Sequence, residues 1–144
     1  MKGKELMQTY PGTFKIVREW FEKKMLENIK KSEGVPEELI GYVKERGVSD
    51  DALTYMIDVN PSLLFPVFDS VGVYIGIVIR KSLYHEKNEE MGDIIFEYYV
   101  CPNGDCIESS EELILYTRKE AEYYAMLAAI QHIEKNIQEY NKKS

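Results

Sequence analysis

Residues 117–139 read TRKEAEYYAMLAAIQHIEKNIQE, and this stretch decides the fold. Thr117 with Glu120 three residues on is the signature of a helix start with a capping box. At ~100° per residue the helix presents two apolar surfaces. Ala121, Ala125, Ala128 and Ala129 make a flat, small one; Tyr123, Met126, Leu127, Ile130, Ile133 and Ile137 make a bulky one, roughly opposite. A helix apolar on two sides is covered on two sides. It is expected to lie between a sheet and other helices.

The sheet lies just upstream. Asn103-Gly104, flanked by Pro102 and Asp105, selects a two-residue type I′ hairpin turn. The turn joins a strand over Asp93 to Cys101, rich in β-branched and aromatic residues, to a strand from Cys106 to about Tyr116. It also sets a register in which Cys101 faces Cys106, Tyr99 faces Glu108, Tyr98 faces Ser109 and Phe96 faces Glu111. One face then carries Ile94, Phe96, Tyr98, Val100 and Ile107, and the other Ile95, Glu97, Tyr99, Cys101, Cys106, Glu108 and Ser110. Residues 109–112 read poorly as core on either face, so a bulge is expected to reset the register before Leu113. Further upstream Val71, Val73, Ile75, Ile77 and Ile79 alternate, giving a third strand with one aliphatic face. Residues 85–92 are a polar connection.

The first 69 residues read as short helices with abrupt junctions. A turn over 3–8 stops at Pro11-Gly12, and Thr13 caps an amphipathic helix to about Lys31 that buries Phe14, Val17, Trp20, Phe21, Met25 and Ile29. A helix over 36–46 starts on Pro36 and ends at Gly47 in a left-handed cap. Ser49-Asp50-Asp51 opens another, to about Val59, with its acids in the first turn where the dipole favours them. Asn60-Pro61 stops it and opens a short turn bounded by Pro66. The expected fold is therefore α+β: N-terminal helices over 1–69, then a three-stranded antiparallel sheet and a long C-terminal helix over 70–144, in one domain. The N-terminal helices cover either the bulky side of the C-terminal helix or the other face of the sheet.

With 144 residues, 44% hydrophobic and 30% charged, the composition is that of a soluble globular chain. Neither a signal peptide nor a run of the ~20 apolar residues that a membrane helix needs is evident. A cytoplasmic location, with no membrane role, is the expectation. The net charge of −7 argues against nucleic-acid binding, where a basic surplus neutralises phosphates. The charge is uneven: residues 1–31 hold eight bases and four acids, whereas 91–116 hold six acids and no base.

Few residues suggest chemistry. Cys101 and Cys106 face each other and form either a redox-sensitive staple or, as expected in the cytosol, two reduced thiols. A zinc site would need two more ligands, and the spacing of His85 and His132 does not supply them. His132 is expected to be a hydrogen-bonded residue at the helix–sheet boundary, and His85 a solvated one. No nucleophile elbow and no phosphate-binding glycine loop is present. No catalytic residue, metal or cofactor is assigned, and the chain reads as non-enzymatic. If the second sheet face stays open, Tyr74, Tyr99, Glu97, Glu108 and Tyr116, with Val78 and Ile95, form a Tyr/Glu-rich surface for a protein partner or a second copy.

Three resemblances frame these readings. A strand near Asp69 and the helix segment containing Glu122 faintly resemble the opening of ribonuclease H folds, which would imply metal-binding carboxylates at Asp69 and Glu122. The order helix, three strands, helix, with Thr117, Arg118, Lys119, Glu120 and Ala121 opening the last helix, resembles the double-stranded-RNA-binding domain, which would imply phosphate contacts at Arg118 and Lys119; Glu122 stands where that family has a third base. Taken whole, MQTYPGTFKIVREWFEKKM, NPSLLFPVFD and TRKEAEYYAMLAAIQ resemble small proteins of gut anaerobic bacteria and their phages. That resemblance implies a shared fold and brings no established activity.

Overall fold

The computed structural model describes residues 2–32, 34–82, 93–110 and 112–143. The chain is α+β, with a three-stranded antiparallel sheet in the order β1-β2-β3 and the C-terminal helix packed on it. Helices α1 (Gly3–Thr9), α2 (Pro11–Lys31), α3 (Glu37–Arg46) and α4 (Asp50–Val59) come first. A 3-10 turn (Pro61–Leu64) and α5 (Phe65–Ser70) lead to β1 (Tyr74–Ser82), β2 (Asp93–Cys101) and β3 (Ile107–Glu108). Helices α6 (Arg118–Lys135) and α7 (Ile137–Asn141) close the chain.

Helix α6 starts where expected. The Thr117 side chain accepts the Glu120 backbone N–H at 3.1 Å and donates its hydroxyl to the Glu120 carboxylate at 2.9 Å. Both of its apolar surfaces are used: Ala121, Ala125, Ala129, Met126, Ile130 and Ile133 are buried. It lies against β1 and β2, the 3-10 turn and α2. The expected run to Glu139 is broken at Asn136, whose side-chain amide donates to the His132 carbonyl at 2.9 Å and competes with the helical ladder there.

Two further boundaries differ from expectation. Pro11-Gly12 does not stop a helix but starts one: Pro11 occupies the first turn of α2, where its missing N–H costs nothing. Thr13 is thus inside α2 and buried. Pro66 likewise sits in the first turn of α5 rather than ending a turn. The expected starts near Pro36 and Ser49 are present, with the Ser49 side chain accepting the Ala52 N–H at 3.2 Å. Gly47 ends α3 with φ 61° and ψ −155°, so its φ is positive but its backbone is not the left-handed helical cap.

Carboxylates from distant helices complete the N-termini of α1 and α2. Asp58 of α4 accepts the Gly3 N–H at 2.8 Å. Glu134 of α6 accepts the N–H groups of Gly12 at 3.1 Å and Thr13 at 2.6 Å, and the Thr13 hydroxyl at 2.8 Å. These satisfy donors that a helix leaves orphaned, at the end where its dipole favours negative charge. Arg18 ties α2 to the α3–α4 junction, donating to the Val48 carbonyl at 2.8 Å and pairing with Asp50.

The hairpin keeps its expected register near the tip, with Tyr99 opposite Glu108 and Val100 opposite Ile107. Ser109 donates its N–H to the Tyr98 carbonyl at 3.0 Å and accepts the Tyr98 N–H on its hydroxyl at 3.2 Å. The expected third strand to Tyr116 is not continuous. The register then jumps, so that Phe96 meets Leu115 and not Glu111; Glu111 itself lies outside the described residues. The break falls at the polar stretch that cannot serve either face. The type I′ turn is also absent: Gly104 has φ 120°, but Asn103 does not have positive φ. Pro102 has no N–H, so it cannot make both bonds of the pair that closes a two-residue hairpin.

Burial along the sheet is graded. Val71 and Val73, expected as strand residues, precede β1 and are buried, as are Tyr98 and Val100; Ile75, Ile77 and Phe96 are half-buried; Ile79 and Ile94, at the far end of the same face, are 63% and 60% exposed. The polar connection over 85–92, with His85, lies outside the described residues.

Candidate functional site

No element among the described residues covers the second face of the sheet. Reading across the strands, Tyr74 stands opposite Cys101, Gly76 opposite Tyr99 and then Glu108, Val78 opposite Glu97, and Arg80 opposite Ile95. Tyr74 is 57% exposed and Val78 42%, while Ile95, Glu97 and Tyr99 are half-buried. Gly76 leaves an open gap beside Tyr99: a Cβ built on it would meet nothing within 4 Å. Glu97 accepts a bond from Arg80 at 2.8 Å. Tyr116, next to the buried Leu115, is 41% exposed. The expected set Tyr74, Tyr99, Glu97 and Glu108 is thus on one surface, and the N-terminal helices do not cover it.

The two cysteines are joined. Cys101 and Cys106 form a disulfide, with Cα atoms 4.2 Å apart. The expectation of two reduced thiols is corrected: direct opposition across the ladder, at a spacing close to that of a non-hydrogen-bonded pair, brings the sulfur atoms into bonding position. The bridge closes the hairpin tip where the turn supplies no complete pair.

The residues of the other resemblances are dispersed. Arg118 donates to Glu122 at 3.1 Å, so the residue that departs from the double-stranded-RNA-binding pattern also neutralises one of its bases. Lys119 borders a shallow cleft with Asp58, Thr117, Tyr123 and Tyr124. Both bases lie at the start of α6, roughly 24 Å of helix rise from Glu134, where α2 and its lysines begin. Asp69 is in α5 and not in a strand, and burial pushes its carboxyl above the usual range. Among the described residues no three His, Cys, Asp or Glu side chains gather as a metal site.

His132 is hydrogen-bonded, as expected, but its partner is in α7: its Nε2 lies 2.8 Å from the Tyr140 hydroxyl, with the rings edge to face at 5.6 Å. Desolvation lowers its pKa, Glu139 opposes that shift and Lys135 adds to it. The same burial raises the Tyr140 phenol. A neutral imidazole held by a neighbour in this way is a structural group.

No helix among the described residues is long and apolar enough to cross a membrane. No protein-family model, curated protein or solved structure matches the chain.

Proposed function

We propose that the chain is a non-enzymatic interaction module, an accessory or inhibitory protein of phage or mobile-element type, that docks a protein partner on the open face of its sheet. The observation that supports this is the exposure of Tyr74 and Val78 on a face that no described element covers. Aromatic side chains at the centre with charge at the rim are the composition of protein interfaces. Charge selects the partner: Glu97 is paired with Arg80, but Glu108 lies at the hairpin end of this face, in a segment with six acids and no base, so the complementary surface is basic at its rim and apolar at its centre. The bridged hairpin tip holds the strands in place before contact, which lowers the cost of ordering on binding.

A photo-cross-linking residue placed at Val78 in the native host tests this. A cross-link to one basic protein is expected, weakened by salt and reduced at least tenfold by the double change Tyr74→Ala and Tyr99→Ala. A cross-link to a second copy of the chain reassigns the face to self-association. No specific product, or one that the double change leaves intact, overturns the proposal.

A further inference from the structure

A second feature lies away from the sheet, between α2, the end of α5 and the tail after α7. A cleft of about 520 Å³ is walled by Ile16 and Trp20 and edged by Lys23, Lys24, Lys143 and Ser70, with Glu19 as its acid. In a chain of net charge −7 this cleft gathers three ammonium groups, two of them paired with carboxylates that lie outside its lining. Lys24 sits over the Trp20 ring, 5.5 Å from its centre. Glu27 holds Lys24 at 3.5 Å and Glu139 holds Lys143 at 3.8 Å, both pairs within one helical turn and substantially exposed. Such surface pairs are weak, so they exchange readily for a more highly charged anion. Lys23 has no acidic partner within 4.0 Å among the described residues.

We propose that this cleft binds a nucleoside monophosphate, with its phosphate among Lys23, Lys24 and Lys143 and its planar base against the half-buried Trp20 ring. The volume is within the range of small-ligand sites and exceeds what inorganic phosphate fills. An apolar wall beside clustered cations suits a ligand that is aromatic at one end and anionic at the other. The site is independent of the sheet face, so either reading can fail without the other.

The single tryptophan of the chain is the reporter. Fluorescence of the full-length protein is titrated with AMP, GMP, CMP and UMP, and separately with adenosine and with inorganic phosphate. At least one monophosphate is expected to give a saturable change, with half-saturation at least tenfold below that of adenosine or phosphate. The double change Lys23→Ala and Lys143→Ala is expected to weaken it at least tenfold while the far-ultraviolet circular dichroism is unchanged; should that variant unfold, Lys23→Glu alone serves, with the same loss expected. Absence of saturation with all four monophosphates overturns the proposal, as does equal binding of adenosine or of phosphate alone, or undiminished binding by a folded lysine variant.

Discussion

The carboxylate of Glu134 accepts both the backbone N–H of Thr13, at 2.6 Å, and its hydroxyl, at 2.8 Å. One side chain of the last long helix thereby fixes the first turn of α2, 121 residues earlier. Replacing it takes the side-chain partner from the N–H groups of Gly12 and Thr13, while the Thr13 hydroxyl keeps the Ile130 carbonyl at 3.3 Å. Glu134→Ala is expected to destabilise the fold by about 2 kcal/mol or somewhat more, as for a lost cap with charged hydrogen bonds. Thr13→Val, which keeps the shape and removes the hydroxyl, is expected to cost about 1 kcal/mol. Because the two share bonds, the double variant should fall short of their sum. Urea denaturation of the four proteins checks this; full additivity would show that the groups are not coupled.

Gly12 and Gly41 should respond oppositely to alanine. A Cβ at Gly12 would lie 2.8 Å from Ile137 Cγ1, between α2 and α7. Overpacking of that kind costs about 1–3 kcal/mol. Gly41, inside α3, has nothing within 4 Å, so Gly41→Ala is expected to stabilise by up to about 1 kcal/mol through helix propensity. Thermal melts of both variants give the signs directly, and a stabilising Gly12→Ala would refute the α2–α7 contact.

The Cys101–Cys106 bridge closes a short loop, with a sequence separation of 5. In the chain-entropy picture such a loop contributes about 2 kcal/mol. Denaturation with and without reductant should differ by no more than about that amount, and the double change Cys101→Ser and Cys106→Ser should match the reduced protein. A reduced chain that fails to fold would mean that the bridge holds far more of the structure than the hairpin tip.

His132 supplies a pH test with a definite sign. Its folded pKa is below the ordinary value because burial disfavours the imidazolium. Below about pH 6.5 the unfolded chain therefore takes up the proton first. Stability contributed by the neutral group is present above that pH and declines as pH falls, levelling off below the folded pKa. His132→Phe should remove this part of the slope between pH 7.5 and 5.5, on the order of the residue's own titration range. Parallel wild-type and variant curves would show that His132 does not titrate differently on folding.

What could be read from residues alone follows the distance over which each signal acts. Ser49 and Thr117 cap helices through atoms three residues away, and both caps are in place. The pairing of Tyr99 with Glu108 depends on a four-residue turn segment, and it too is legible. The α2 start was not, because Pro11 and Gly12 look like a stop until Glu134 arrives from the other end of the chain. Asp58 beside Gly3 is the same case, at a separation of 55. The jump that puts Leu115 opposite Phe96 was legible only as an interruption, since nothing in residues 109–112 specifies where pairing resumes. The tyrosines of the candidate face could be placed on one surface from their alternation; that the surface stays open depends on how the helices dock, which alternation does not encode. The Trp20 cleft needs Ser70 and Lys143 beside α2, and no local pattern joins those three.

Among the described residues the sheet order gives β1 a neighbouring strand on one side only. No described strand pairs with its outward backbone donors and acceptors, and an edge of that kind is the arrangement through which proteins aggregate or exchange strands. Arg80 and Lys81 put charge on the distal part of that edge. Tyr74 to Val78 have none. Unwanted pairing between copies would therefore begin at this uncharged half, and the first lysine to introduce against it is on the solvent face at Val78.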